Sequence, residues 1–203
     1  MSLVFYYSPQ SNATPVHWTL EELGVPYEKV RIDLQKREQR QRDFLRLNPN
    51  GKVPVLVHKG VAIFESVAIQ IYLGETFGVD RGLFPAAGPQ RGEALRWLVW
   101  CGVTLGEALS RFFRNSSDRF PAEQRNHKAA VLAREEVVDL LRILDEGLHN
   151  RPYLLGGAFS IVDVHLVSWA SYMRMFGIEL DSYTNLNPWL IRCCARPAHE
   201  RGD

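Results

Sequence analysis

Cysteine is scarce in this chain, with Cys101, Cys193 and Cys194 the three in 203 residues. Two are adjacent, a placement that disfavours an ordinary bridge, and no C-x-x-C pair occurs. Neither a disulfide framework nor a dithiol motif is expected. An excess of charge is missing as well. With 24 Lys and Arg against 23 Asp and Glu, the formal net charge is +1. That argues against the concentrated basic face nucleic acid demands, so no nucleic-acid partner is expected. No apolar run approaches the ~20 residues of a membrane span, and Met1-Ser2-Leu3 lacks the basic start of a secretory leader. No membrane association is expected, and the expected compartment is the cytoplasm. His17 and His165 lack partners at metal-ligand spacing, so no metal is expected. Internal repeats and low-complexity segments are absent.

What is present is an ordinary globular composition, 46% hydrophobic and 23% charged, in a chain long enough for one large domain or two modest ones. LVFYY, residues 3–7, reads as a strand that feeds a turn of small polar residues. An amphipathic helix follows with Val16, Leu20 and Leu23 on one face. It opens at Thr14–Pro15 or a turn earlier at Ser11, and Gly24 closes it. Residues 27–33 alternate as a second strand, and 36–47 read as a short, strongly charged helix. Strands over 53–58 and 61–64 flank a Lys59–Gly60 turn, and a helix runs over 66–77. GVDRGLFPAAGP breaks the pattern and marks a linker. Beyond it only helices are expected: 93–114, 121–148, an almost wholly apolar one opened by a Ser160/Asp163 capping box with a Phe159–Val164 staple, and a last short one from Asn187–Pro188. A loose tail ends the chain.

This order, βαβαββα and then an all-helical half, resembles the cytosolic glutathione S-transferase family over essentially the whole chain. Four features carry the resemblance at compatible spacings: YYSPQS after the first strand, NPNGKVPVL at 48–56, FES at 64–66 and SIVD at 160–163. It implies an α/β thioredoxin-like domain over 1–78, a linker over 79–89 and an all-α domain over 90–203. It also implies glutathione as co-substrate and a cis peptide at Pro54, with the backbone of Val53 meeting the cysteinyl part. Glu65 and Ser66 match the pair that holds the γ-glutamyl end, and Lys52 is placed for the glycyl carboxylate. The chemistry is consistent, since a helix N-terminus favours a carboxylate and a glutamate suits an ammonium group.

The turn after the first strand is then the seat of the glutathione thiol. An ordinary thiol titrates at about 8.5, and lowering that by about two units takes roughly 2.7 kcal/mol in favour of the thiolate. A hydroxyl donated to a charged group is worth about 1.5–3 kcal/mol and a helix N-terminus about 0.3–1, so one neutral donor suffices. Three residues compete. Ser11 matches the serine of the serine-type classes. Asn12 stands where the bacterial beta class has cysteine and some disulfide-reducing relatives have asparagine. Tyr7 matches the tyrosine-type residue, a position that also suits core packing. Gln10 stands in place of the usual glycine. A second-substrate pocket is expected along the helix after the linker, where Trp100, Thr104, Glu107 and Arg111 share a face with Phe112 beside them; the same stripe also fits core or dimer contact.

Three functions remain open at this point. The first is glutathione thiolate attack on a small hydrophobic electrophile; the second is glutathione-dependent reduction of disulfides or peroxides. The third is a non-catalytic binding protein of the same fold. A homodimer is expected, because Trp97, Leu98, Trp100 and Val103 spread over more than one face of their helix.

Overall fold

The computed structural model describes residues 3–174 and 176–202. Met1, Ser2, Met175 and Asp203, which the sequence assigns to the chain start, the apolar helix and the tail, lie outside them. β1 (Leu3–Tyr7), β2 (Tyr27–Arg31), β3 (Val55–His58) and β4 (Val61–Phe64) form one sheet in the order β2-β1-β3-β4, with β1 and β2 parallel and the other pairs antiparallel. α1 (Thr14–Leu23) is the crossover from β1 to β2 and α3 (Ser66–Leu73) follows β4. Thr19 Oγ1 donates to Gln70 Oε1 at 2.7 Å, and Gln70 Nε2 donates to the Pro15 carbonyl at 2.9 Å, so two buried polar groups lock α1 to α3. Beyond β4 the described residues hold helices and turns, apart from an isolated Tyr153–Gly156 bridge. This is the thioredoxin-like half followed by a helical half, as the sequence leads one to expect.

Several boundaries differ from the sequence reading, each for a local reason. β3 starts at Val55 rather than residue 53, after a cis Val53–Pro54 bond, because proline has no N–H for the ladder. The charged stretch splits into a 3-10 turn (Glu38–Arg40) and α2 (Arg42–Leu47), since Arg37 is left-handed and Gln41 extended. α3 passes at Gly74 into a π-helical turn (Gly74–Gly78). A Cβ at Gly74 would sit 2.6 Å from the Phe84 ring. The glycine- and proline-rich segment is packed rather than loose, with Phe84 buried and the Leu83 carbonyl accepting from Ile161 N–H at 2.9 Å.

The expected single helix over 93–114 is interrupted as well. α4 (Pro89–Trp100) and α5 (Gly106–Ser116) are joined by a π-helical turn, Cys101–Leu105. There Gly102 approaches α3 so closely that a Cβ would lie 2.6 Å from Val67 Cγ2. α6 (His127–Gly147) starts later than residue 121, where Asn126 Oδ1 accepts from Ala129 N–H. α7 (Ile161–Arg174) is buried on nearly every side. α8 (Leu186–Cys194) begins where Asp145 Oδ1 accepts from Asn185 and Leu186 N–H. The tail is not loose: α9 (Pro197–Arg201) docks on α1. Arg196 makes two 2.7 Å bonds to the carboxylate of Glu22, Arg201 reaches Glu21 at 2.9 Å, and Gly202 lies so near the Trp18 backbone that no side chain fits. One hydrophobic cluster runs from the sheet through α1 and α7 into the bundle.

Candidate active site at the start of the first helix

A single side chain builds the turn between β1 and α1. Ser11 Oγ donates to the Ser8 carbonyl at 2.6 Å and accepts from Ala13 N–H at 3.1 Å; the Ser11 carbonyl accepts from Thr14 N–H at 3.0 Å. The helix N-cap is Ala13, which has no side chain to offer, and Pro15 has no N–H. Ser11 therefore does the capping from two residues back. The positive end of α1 is left chiefly as a field, with two of its first donors already taken. Gln10 sits at φ 51°, a left-handed conformation that costs a non-glycine residue about 1–2 kcal/mol. Asn12 is exposed, and its side chain has no hydrogen-bond partner among the described residues.

The turn forms one wall of a cleft of about 490 Å³. The opposite wall is α7, through Trp169 and Tyr172 with the hydroxyls of Ser168 and Ser171, and His199 of α9 lines it as well. Among the described residues no carboxylate, lysine or arginine lines this cleft. His199 packs edge-on against Trp18 at 4.6 Å between ring centroids. Tyr7 is absent from the lining. Its ring stacks on Phe5 at 5.6 Å and leans on His17 at 5.8 Å, inside an aromatic group between β1, α1 and β2.

The sheet register gathers the other sequence-selected groups at the same end of the sheet. Tyr6 pairs with Val55 and Val55 with Phe64, so the exit of β1, the approach to β3 and the exit of β4 lie side by side. Asn48 Nδ2 braces the loop before β3 by donating to the Lys52 carbonyl at 2.7 Å. Glu65 is the N-cap of α3 at φ 70°, ψ 119°, and Ser66 is the helix's first residue. The side chains of Lys52, Glu65 and Ser66 make no hydrogen bond or ion pair with any described residue. These residues and Val53 do not line the Ser11 cleft.

Most of the stripe on α4 and α5 makes contacts within the helical half. Trp100 packs edge-on against Trp97 at 5.4 Å, and Thr104 is exposed on the π-helical turn. Arg111 pairs with Glu107 at 3.3 Å and also with Glu136 of α6, and Phe112 is buried. None of these lines the cleft beside Ser11. The residues that do, Trp169 and Tyr172, stand where α7 departs from its apolar run with two serines and two amphipathic rings. That was a readable signal; nothing in the sequence pointed to His199. Burial pushes the thiols of Cys101 and Cys193 above the ordinary range, so neither is a ready nucleophile.

Residues 1–75 match the family model for the glutathione S-transferase N-terminal domain, and residues 104–197 match that for the C-terminal domain. The disulfide-bond oxidoreductase YfcG of Escherichia coli is 30% identical over 200 residues, covering 95% of this chain and 90% of that protein. The theta class glutathione S-transferase of Xanthomonas axonopodis pv. citri, solved with glutathione bound, is 29% identical with a TM-score of 0.87, over 99% of this chain and 96% of that one. A glutathione transferase of Burkholderia graminis, with two glutathione molecules per subunit, is 28% identical with a TM-score of 0.88, over 99% of this chain and 87% of that one.

Proposed function

The chain belongs to the glutathione S-transferase family, and from that premise we propose that it binds glutathione and activates its thiol at the turn of residues 8–13. The observation that carries this reading is the cleft itself, with a helix start and two polar side chains on one wall and aromatic rings on the other. In this reading Ser66 and the α3 N-terminus take the γ-glutamyl carboxylate, Glu65 takes the ammonium, Val53 pairs through its backbone, and Lys52 meets the glycyl carboxylate. Ser11 and Asn12 divide the work at the thiol. The Ser11 hydroxyl is committed to Ser8 and holds the turn, whereas the Asn12 amide donates to a thiolate without breaking any existing bond. In this reading Ser11 shapes the turn and Asn12 donates.

The reaction we propose is attack of the thiolate sulfur on an electrophilic carbon, with the leaving group departing from that carbon. The electrophile lies on Trp169 and Tyr172 rather than on the Trp100, Thr104, Glu107 and Arg111 stripe. A second reading, reduction of a disulfide, is favoured by the 30% identity to a disulfide-bond oxidoreductase. With no cysteine in the turn, glutathione itself supplies the attacking sulfur: the thiolate forms a mixed disulfide, one thiolate leaves, and a second glutathione resolves it. The working form in this reading is a cytoplasmic homodimer.

The test is retention on immobilised glutathione. Glu65→Ala and Ser66→Ala should each lose retention while melting within a few degrees of the parent, since neither side chain makes a hydrogen bond or ion pair with a described residue. Unchanged retention in both folded variants would remove the glutathione assignment. Turnover of a chloronitrobenzene against a hydroxyethyl mixed disulfide then separates the two reactions.

A further inference from the structure

His199 enters the cleft from the far end of the chain, on α9. Several contacts hold that helix in place. Arg196 grips the Glu22 carboxylate through two 2.7 Å bonds and lies over the Phe159 ring at 3.9 Å from its centroid. Arg201 reaches Glu21, and Gly202 backs onto Trp18. Trp18 is itself tied to Glu22 by an Nε1–H bond of 3.0 Å and packs against the His199 ring. The imidazole is thus fixed by packing, while its nitrogens make no hydrogen bond or ion pair with any described residue. A held ring with uncommitted nitrogens is arranged to meet a ligand.

The rest of the polar lining is alcohol, amide and phenol. Of the described side chains that line the cleft, His199 is therefore the one of a type that changes charge between about pH 5 and 8. Charges on the neighbouring elements are taken up by one another: Glu22 with Arg196, and Glu21 with Arg201 and the Tyr27 hydroxyl. On α9 Glu200 is exposed; on α1 His17 turns to the sheet against Phe5 and Tyr7. From α7 the titratable lining group is Tyr172, His165 is fully buried, and Cys194 Sγ of α8 lies 3.9 Å from the Ser171 hydroxyl. Neutral walls with one ready proton donor suit an uncharged electrophile that must be protonated as it reacts. An epoxide meets that description, because its carbon–oxygen bond breaks to leave an alkoxide unless the oxygen takes up a proton.

We propose that His199 is a catalytic residue, the general acid for addition of glutathione to a neutral epoxide lying on Trp169 and Tyr172. The thiolate sulfur bonds to one ring carbon, and the electron pair of the breaking carbon–oxygen bond moves to the oxygen. The imidazolium proton passes to that oxygen, the product is a hydroxy thioether, and solvent reprotonates the imidazole. This step rests on the glutathione reading and goes beyond it by naming the acid and the electrophile.

The test compares two electrophiles in the full chain: nitrophenyl glycidyl ether, an epoxide, and chloronitrobenzene, whose chloride departs without a proton. His199→Gln and His199→Phe should each lower kcat on the ether roughly 100-fold with little change in KM, the lower range of what a general acid supplies. The loss on chloronitrobenzene should be a few-fold at most. Gln keeps a hydrogen-bond donor without a transferable proton and Phe keeps a ring on Trp18, so either decides the matter if the other fails to fold. In the parent, kcat/KM for the ether should fall on the alkaline side as the imidazolium is lost, and that limb should be missing from His199→Gln. Tyr172→Phe should keep the ratio of the two activities near the parent's, and His149→Gln, at an exposed position beyond α6, should match the parent on both. A parent that turns over chloronitrobenzene but not the ether would overturn this inference alone. So would equal losses on both electrophiles, an unchanged alkaline limb in a folded His199 variant, or a ratio that collapses in Tyr172→Phe. Failure on both electrophiles and on immobilised glutathione would overturn it together with the glutathione reading.

Discussion

Both ring nitrogens of His165 are buried on α7 without a hydrogen-bond partner among the described residues, and burial depresses the imidazole pKa to about 4 from an ordinary 6.5. Below pH 6.5 the unfolded chain takes up a proton there that the folded chain refuses. Stability therefore falls as pH drops from 6.5 to about 4, levels off below that, and is unaffected by this group above 6.5. The window is worth on the order of 3 kcal/mol. His165→Leu should remove that share, so in urea titrations from about pH 7 to about pH 4 the variant gains on the parent as pH falls. At neutral pH it should be no less stable, because two orphaned polar atoms disappear from the core. Parallel stability curves for parent and variant would contradict this account.

At the scale of elements, the entry of α7 is the most connected point in the helical half. The Asp163 carboxylate accepts from the Ser160 N–H at 2.9 Å and hydroxyl at 2.8 Å, from Leu154 N–H at 2.9 Å and from Trp189 Nε1 at 2.9 Å. Burial raises its pKa, and the four donors pull the other way. Asp163→Ala leaves four donors without their acceptor, at about 1–3 kcal/mol for each that stays buried, so a loss of at least about 3 kcal/mol is expected. Ser160→Ala removes one donor and should cost about 1 kcal/mol. Melting curves should rank the two in that order, at roughly 2–4 °C per kcal/mol for a chain of this size. Equal melting temperatures would show that the carboxylate is not the hub.

The capping box was visible in the sequence because its parts are three residues apart, and so were the strands, whose alternation is local. What the sequence hid were places where distant segments collide. The π-helical turn at Cys101–Leu105 accompanies a glycine pressed on Val67, thirty-five residues earlier, and the one at Gly74 accompanies Phe84. The docking of α9 depends on Arg196 and Arg201 meeting Glu22 and Glu21, some 170–180 residues away. The same holds for the site. The Ser11 turn was legible as a strand feeding a helix, but its far wall on α7 and the reach of His199 come from packing. The stripe at Trp100–Arg111 has the right period for a pocket; in the structure Arg111 pairs with Glu136 of α6 and Trp100 packs on Trp97, contacts that its period does not reveal.

At the scale of the whole molecule, Trp97 and Leu98 are taken up by the bundle at 7% and 0% exposure, while Val99 and Val103 stay 48% and 65% exposed. A two-fold partner covering Val99 and Val103 is the assembly this account expects. Sedimentation at micromolar protein should give about twice 23.2 kDa, and Val103→Glu should halve it; a parent that sediments as a monomer would refute the dimer and leave the site untouched. The central claim is that the turn at the start of α1 makes glutathione a thiolate. Titrating the ultraviolet thiolate absorbance of bound glutathione against pH tests it directly. The parent should show the thiol about two units below its ordinary 8.5, and Asn12→Ala should return it upward by about one unit or more. A bound thiol in the parent that titrates near 8.5 would contradict the account.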